Sequence, residues 1–193
     1  MARPADPIET PSARPTPAAL AAAVGARVPD LIGPGLRVLF CGINPSLYSA
    51  VVGHHFARPG NRFWPTLHRA GFTDRLLRPS EERELLARGI GITNVCSNAS
   101  ASADTLTPDD YASGSARLRR KLQRYRPRAI AFLGLGAYRI AAREPKAAVG
   151  LQPAPFAGVA AWALPNPSGL NAHYQLDDLV ECYRALAQAV LSP

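Results

Sequence analysis

Four short apolar runs stand out along the chain, separated by stretches whose apolar residues recur at helical spacing. The runs at residues 37–41, 91–95, 128–133 and 159–164 read as strands. Helical spacing predicts helices over residues 62–70, 80–88, 108–125, 136–143 and 176–191. The third of these has Thr107 as a cap and Pro108 at the first helical position. By the same logic Thr16-Pro17 starts a possible short helix over residues 18–25, behind a Pro-, Ala- and polar-rich lead-in of about 16 residues that reads as disordered. Strands alternating with helices predict an α/β fold, a central, mostly parallel, twisted sheet flanked by helices on both faces. A single domain is expected over residues 35–193, preceded by a largely flexible tail over 1–34 that carries the short helix.

Two of the runs end in the same unusual way. Val38-Leu39-Phe40-Cys41 stops at Gly42-Ile43-Asn44-Pro45-Ser46, and the run ending at Leu164 stops at Pro165-Asn166-Pro167-Ser168-Gly169-Leu170-Asn171. Each reads as a buried strand closing in a rigid turn that carries one short amide side chain. Ligands of open α/β sheets bind at strand ends, so the two Asn-Pro turns read as the two lips of one cleft.

Composition narrows the classes. With 193 residues, 47% of them hydrophobic, the chain can build one domain with a real core. Its net charge of +8 favours a polyanionic partner. Of 22 basic residues only Lys121 and Lys146 are lysine, which fits either phosphate recognition by arginine or the codon bias of a GC-rich genome. Arg58, Arg62, Arg69 and Arg75 gather near the first Asn-Pro turn and read as phosphate contacts. Arg117, Arg119, Arg120, Lys121 and Arg124 crowd one helix and read as a solvated face. The cysteines, Cys41, Cys96 and Cys182, are odd in number and lack C-x-x-C spacing, which disfavours a disulfide framework and a zinc site and fits a reducing cytosol. No apolar run approaches the ~20 residues of a membrane span, and no signal-like segment opens the chain, so a cytoplasmic protein with no membrane partner is expected. His54, His55, His68 and His173 match no common metal spacing. In Gly134-Leu135-Gly136-Ala137-Tyr138-Arg139 an arginine stands at the third glycine of a dinucleotide loop, so tight strand–helix packing is the better reading.

The segments Gly42-Ile43-Asn44-Pro45, then Phe56-Ala57-x-Pro59-x-Asn61-Arg62-Phe63-Trp64, Ala70-Gly71-Phe72-Thr73, Gly91-Ile92-Thr93 and Leu164-Pro165-Asn166-Pro167-Ser168-Gly169-Leu170 together resemble the mismatch-specific uracil-DNA glycosylases. These are the bacterial relatives of thymine-DNA glycosylase. The resemblance runs over roughly residues 37–190 and keeps order and spacing. It implies the fold of that superfamily, a double-stranded DNA substrate carrying uracil or a mismatch, no metal or cofactor, and base flipping. Asn44 is then the catalytic residue: its amide oxygen can orient a water toward the sugar C1′, although an amide is a poor general base. Phe56 would stack on the flipped base, at ~1–3 kcal/mol per base. Gly42, Ile43, Pro45, Ser46, Asn61, Asn94 and Asn166 complete the implied base pocket, with backbone groups of Ile43 and Phe56 reading the uracil edges. Leu170 is the implied wedge that fills the vacated stack, with Gly169 allowing close approach to the groove. Ser49, Arg58, Arg62, Pro167, Ser168, Asn171 and His173 are the further implied DNA contacts. Two departures stand out. Ser46 occupies a position where relatives usually have Gly, and Asn171-Ala172-His173 follows Leu170 where the best-known relatives carry Ser and Arg.

The function expected from these residues is excision of uracil, preferentially from G·U mismatches, by hydrolysis of the N-glycosidic bond. A slow enzyme selective for good leaving groups follows from the missing general base. Neither Asn-Pro turn holds a lysine, which argues against Schiff-base lyase chemistry. The competing expectations are a glycosylase with a different or broader lesion range and a non-catalytic module that binds mismatches or abasic sites. A monomer is expected, with an open face for DNA on the bacterial nucleoid.

Overall fold

The strand runs can be almost wholly apolar because both faces of the sheet are covered. The structure, a computed structural model, describes residues 14–191. In β1 (Val38–Gly42), β2 (Ile90–Asn94) and β3 (Ala129–Leu133) every residue is buried. β4 (Gly150–Leu151) and β5 (Ala160–Leu164) complete a five-stranded sheet of order β2-β1-β3-β5-β4. The pairs β1–β2, β1–β3 and β3–β5 are parallel, and β4 runs antiparallel to β5.

Alternation along each strand sorts the core into two layers. Val38 and Phe40 pack with residues of α3 (Phe63–Arg69), α4 (Glu84–Ala87) and α7 (Leu176–Leu191). Leu39 and Cys41 face the other way, against α5 (Pro108–Tyr125) and α6 (Leu135–Ala142). This is the expected three-layer α/β fold. Two further short helices, α1 (Pro17–Ala22) and α2 (Leu47–Val52), lie before and after β1.

The structure departs from the sequence reading at four places. The helix expected over 80–88 is split into a 3-10 turn at Pro79–Glu81 and the four-residue α4. Neither α2 nor the two-residue β4 was anticipated. The segment from Arg14 to Pro34 is not a free tail. Thr16 caps α1 by accepting from the Ala19 N–H, Gly25 and Ala26 pair with Ala99, and Leu31 exchanges two backbone hydrogen bonds with Ile92. The expected lead-in falls mainly on residues 1–13, which lie outside the described residues.

Register brings the chemistry together. Gly42 pairs with Asn94, and Leu133 pairs with Leu164. The ends of β1, β2, β3 and β5 therefore form one row, from which the Asn44 turn, Gly134 and the Asn166 turn continue. β1 is followed by β2 on one side while β3 lies on the other, so this row borders a topological switch point, where α/β folds place ligands.

Candidate active site

A cavity of about 620 Å³ opens over the strand ends. Gly42, Ile43, Asn44, Pro45 and Ser46 from the first turn, Phe56 and Asn61 from the next loop, Asn94 from β2 and Asn166 from the second turn all line it. So do Ser49, Arg58, Ser168, Leu170 and Asn171. Arg62, Pro167, Gly169 and His173, grouped with the DNA contacts on sequence grounds, are not among the lining residues.

Asn44 is held from one side only. Its Nδ2 donates to Ser100 Oγ at 2.9 Å and to the Pro45 carbonyl at 3.1 Å. The Ser100 hydroxyl proton goes to the Ser102 carbonyl at 2.7 Å, which leaves Oγ an acceptor toward Asn44. Two acceptors on the same side fix which amide atom points there: only nitrogen fits. The amide oxygen has no donor among the described residues. Ser100, which the sequence reading passed over, lies 56 positions away, with no motif marking it.

Asn94 is 5% exposed, and its side chain makes no hydrogen bond among the described residues. It lies across Gly42, where an added Cβ would meet Asn94 Oδ1 at 2.4 Å and Phe56 Cζ at 3.4 Å. Glycine at 42 therefore makes room for both pocket side chains. The other two asparagines are spent on turns: Asn61 Oδ1 accepts from the Phe63 N–H, and Asn166 Oδ1 accepts from the Ser168 N–H, both at 2.9 Å.

Phe56 is held in the left-handed region at φ 53°, uncommon for a residue with a large side chain. Its neighbours explain how. Glu82 accepts from the His55 N–H at 2.9 Å and faces His54 Nδ1 at 3.1 Å. His55 Nε2 meets the Pro29 carbonyl at 3.0 Å, Trp64 Nε1 donates to the His55 carbonyl, and the Ala57 N–H donates to Ser49 Oγ. The Phe56 ring stacks on the buried Phe63 ring, centroids 4.1 Å apart. Burial pushes the His55 imidazole below its ordinary range, against Glu82 and the Pro29 carbonyl, which favour its charged form. The neutral ring then carries its proton on Nε2.

Ser46 does not strain the first turn. Its φ of −70° suits any residue, and its hydroxyl caps α2 by accepting from the Ser49 N–H at 3.1 Å. Ser49, expected at the DNA, is buried within the cavity wall because α2 turns it inward. Pro167 is likewise buried, its carbonyl accepting from the Arg62 N–H. Gly169 makes its close approach within the protein: an added Cβ would lie 2.6 Å from the Gly60 carbonyl oxygen. Leu170 is 75% exposed.

The four-arginine cluster comes apart. Arg69 pairs with Asp177, Arg75 with Glu81 and Glu84, and Arg62 turns its guanidinium onto the carbonyls of Ser168, Asn171 and Tyr174. Only Arg58 of the four is exposed at the cavity and without an acidic partner among the described residues. On α5, Lys121 pairs with Asp30, and Arg119 lies over the Phe156 ring. Burial pushes the Cys41 thiol up, and the Cys96 thiol up to about 11, so both stay protonated at neutral pH. Asp104 is the one carboxylate lining the cavity among the described residues; it is exposed and hydrogen-bonded to Ser102. No helix among the described residues is long and apolar enough to cross a membrane.

Comparison with known proteins agrees with this fold. A solution NMR structure of a candidate uracil DNA glycosylase from Methanosarcina acetivorans matches with a TM-score of 0.61, at 19% sequence identity, over 88% of this chain and 99% of its own. At that identity the match speaks for the fold. The family model of the uracil DNA glycosylase superfamily matches residues 29–187, from the strand pair at Leu31 to most of α7. With that span covered, the chain belongs to the uracil DNA glycosylase superfamily, hydrolases of DNA repair that cut the bond between base and sugar.

Proposed function

We propose that this glycosylase removes uracil from double-stranded DNA, with G·U mismatches the preferred setting, and leaves an abasic site. The observation that carries the reading is the amide of Asn44, turned by Ser100 and Pro45 so that its oxygen is the open acceptor at the cavity. A water held there sits where the sugar C1′ of a flipped nucleotide would be attacked. No carboxylate contacts Asn44 among the described residues, so the proton is not taken early. The reaction then leans on stabilising the departing uracil anion. The N–H groups of Ile43 and Phe56 meet no acceptor among the described residues and suit uracil's carbonyls. Asn94, buried and unpaired, offers both an amide donor and an acceptor to the base edge. Phe56, packed on one side by Phe63, keeps its other face for stacking.

Leu170 serves as the wedge, and exposed Arg58 as a phosphate contact at the rim. Asn171 is spent within its loop, its side chain bonding the Asn166 carbonyl and the His173 N–H. His173, exposed and with its ring unengaged, is left to face the orphaned guanine. The enzyme works as a monomer on cytoplasmic DNA, without metal or cofactor, and without lyase chemistry.

The test is single-turnover incubation with duplexes bearing uracil opposite G or A, and with the same uracil single-stranded, followed by alkali. The parent is expected to cleave, fastest opposite G. Asn44→Ala should be slower by at least about 100-fold, the lower range for loss of a positioned catalytic group. A parent that leaves all three substrates intact would overturn the reading.

A further inference from the structure

Arg62 was expected at a phosphate, yet its half-buried guanidinium is taken up by the protein's own carbonyls. Nη1 donates to the Tyr174 carbonyl, and Nη2 donates to the carbonyls of Ser168 and, at 3.0 Å, Asn171. Its own backbone N–H donates to the Pro167 carbonyl at 2.9 Å. These four carbonyls bracket Leu170 on both sides. The two loops also touch directly, Gly169 lying so close on Gly60 that no Cβ fits between them. Within its loop Leu170 has little else to hold it: its N–H donates to Ser168 Oγ at 3.3 Å, and its side chain stands in solvent.

We propose that Arg62 is a positioning residue that clips the Leu170 loop to the loop carrying Arg58, presenting the leucine as a rigid wedge. A planar guanidinium with several donors can meet three divergent carbonyls at once, which a lysine ammonium on a flexible stem cannot do in one geometry. A wedge held rigid before contact needs no ordering when it enters the stack, so the clip serves base flipping. The inference rests on the glycosylase reading only for its consequence. The clip itself is a statement about the loop.

The clip matters only where a stacked duplex must be opened. Arg62→Lys is therefore expected to slow excision from a G·U duplex by about 10-fold or more, while uracil in single-stranded DNA is excised within about twofold of the parent rate. On a Leu170→Ala background the same substitution should change the duplex rate no further. The salt dependence of duplex binding should keep its slope, whereas loss of a phosphate contact would lower the slope by about one. Amide hydrogen exchange at residues 168–174 should quicken in Arg62→Lys, with the strands unchanged, and this holds whether or not the protein turns over uracil. A parent without excision would therefore sink the glycosylase reading and leave the clip to be decided by exchange. Equal losses on duplex and single strand, a reduced salt slope, or unchanged exchange in the loop would overturn it.

Discussion

Nitrogen and oxygen of an asparagine amide are nearly alike in shape, and only their neighbours tell them apart. For Asn44 the neighbours are Ser100 Oγ and the Pro45 carbonyl, both acceptors, and the chemistry proposed here depends on that arrangement. That Asn44, Phe56 and Leu170 share one cavity was legible in the sequence because each sits in a compact motif. Ser100 and Glu82 were not, since they act on the site from 56 and 27 positions away with no local motif to mark them. Arg62 was visible but misassigned: nothing local shows that its partners are carbonyls more than 100 positions downstream. His55 yields a prediction at this scale. Its folded pKa is depressed by burial, so the unfolded chain takes up a proton that the folded protein refuses. The stability is fully present above the ordinary histidine range near pH 6.5 and declines as pH falls below it. One group changes stability by at most about 1.4 kcal/mol per pH unit. Melting temperature should therefore drop between pH 7.5 and 5.5, and His55→Gln, less stable throughout, should show a shallower drop. An equal pH response in both proteins would count against burial of a neutral His55.

Among the elements, the four longer strands were legible because burial on both faces leaves them almost wholly apolar, the polar Thr93 and Asn94 standing only at the end of β2. The caps of α1 and α5 were legible too, each a threonine before proline. The missing elements are those too short to show a period: α2 has six residues and β4 two. The signal for α2 was present in Ser46 as its cap and Gly53 in the left-handed conformation at its end. Beside the family pattern, Ser46 stands out instead as a side chain where relatives usually have Gly. The helix over 80–88 reads well by pattern, but Glu82 sits at its break, its carboxylate bound to the His54-His55 segment. If Ser46 is chiefly a cap, Ser46→Ala should cost about 1 kcal/mol and Ser46→Gly only a few tenths. Denaturant midpoints at constant slope would measure both. A larger cost for glycine than for alanine would contradict the assignment.

For the whole molecule, the +8 charge says less about the cleft than it first suggests. Arg69, Arg75, Arg88 and Lys121 are paired with carboxylates, and Arg62 with carbonyls, so attraction for DNA at the cleft falls to a few residues such as Arg58. The domain boundary expected at residue 35 had no physical marker against it, because the segment before it is held by backbone pairing rather than by a strong apolar pattern. That pairing has a consequence for solubility. β2 is the outer strand on its side of the sheet, and Leu31 occupies the hydrogen-bonding positions of Ile92 that would otherwise face outward. The opposite margin is only the two residues of β4. Exposed strand margins recruit other chains into intermolecular sheets, and this molecule leaves little of either margin to recruit with. A chain begun at residue 35 would uncover the outer edge of β2 around Ile92, a ready-made template. Light scattering on that shortened chain should rise with concentration and time, while the longer chain stays clear under the same conditions; two equally clear solutions would show that residues before 35 do not guard the sheet.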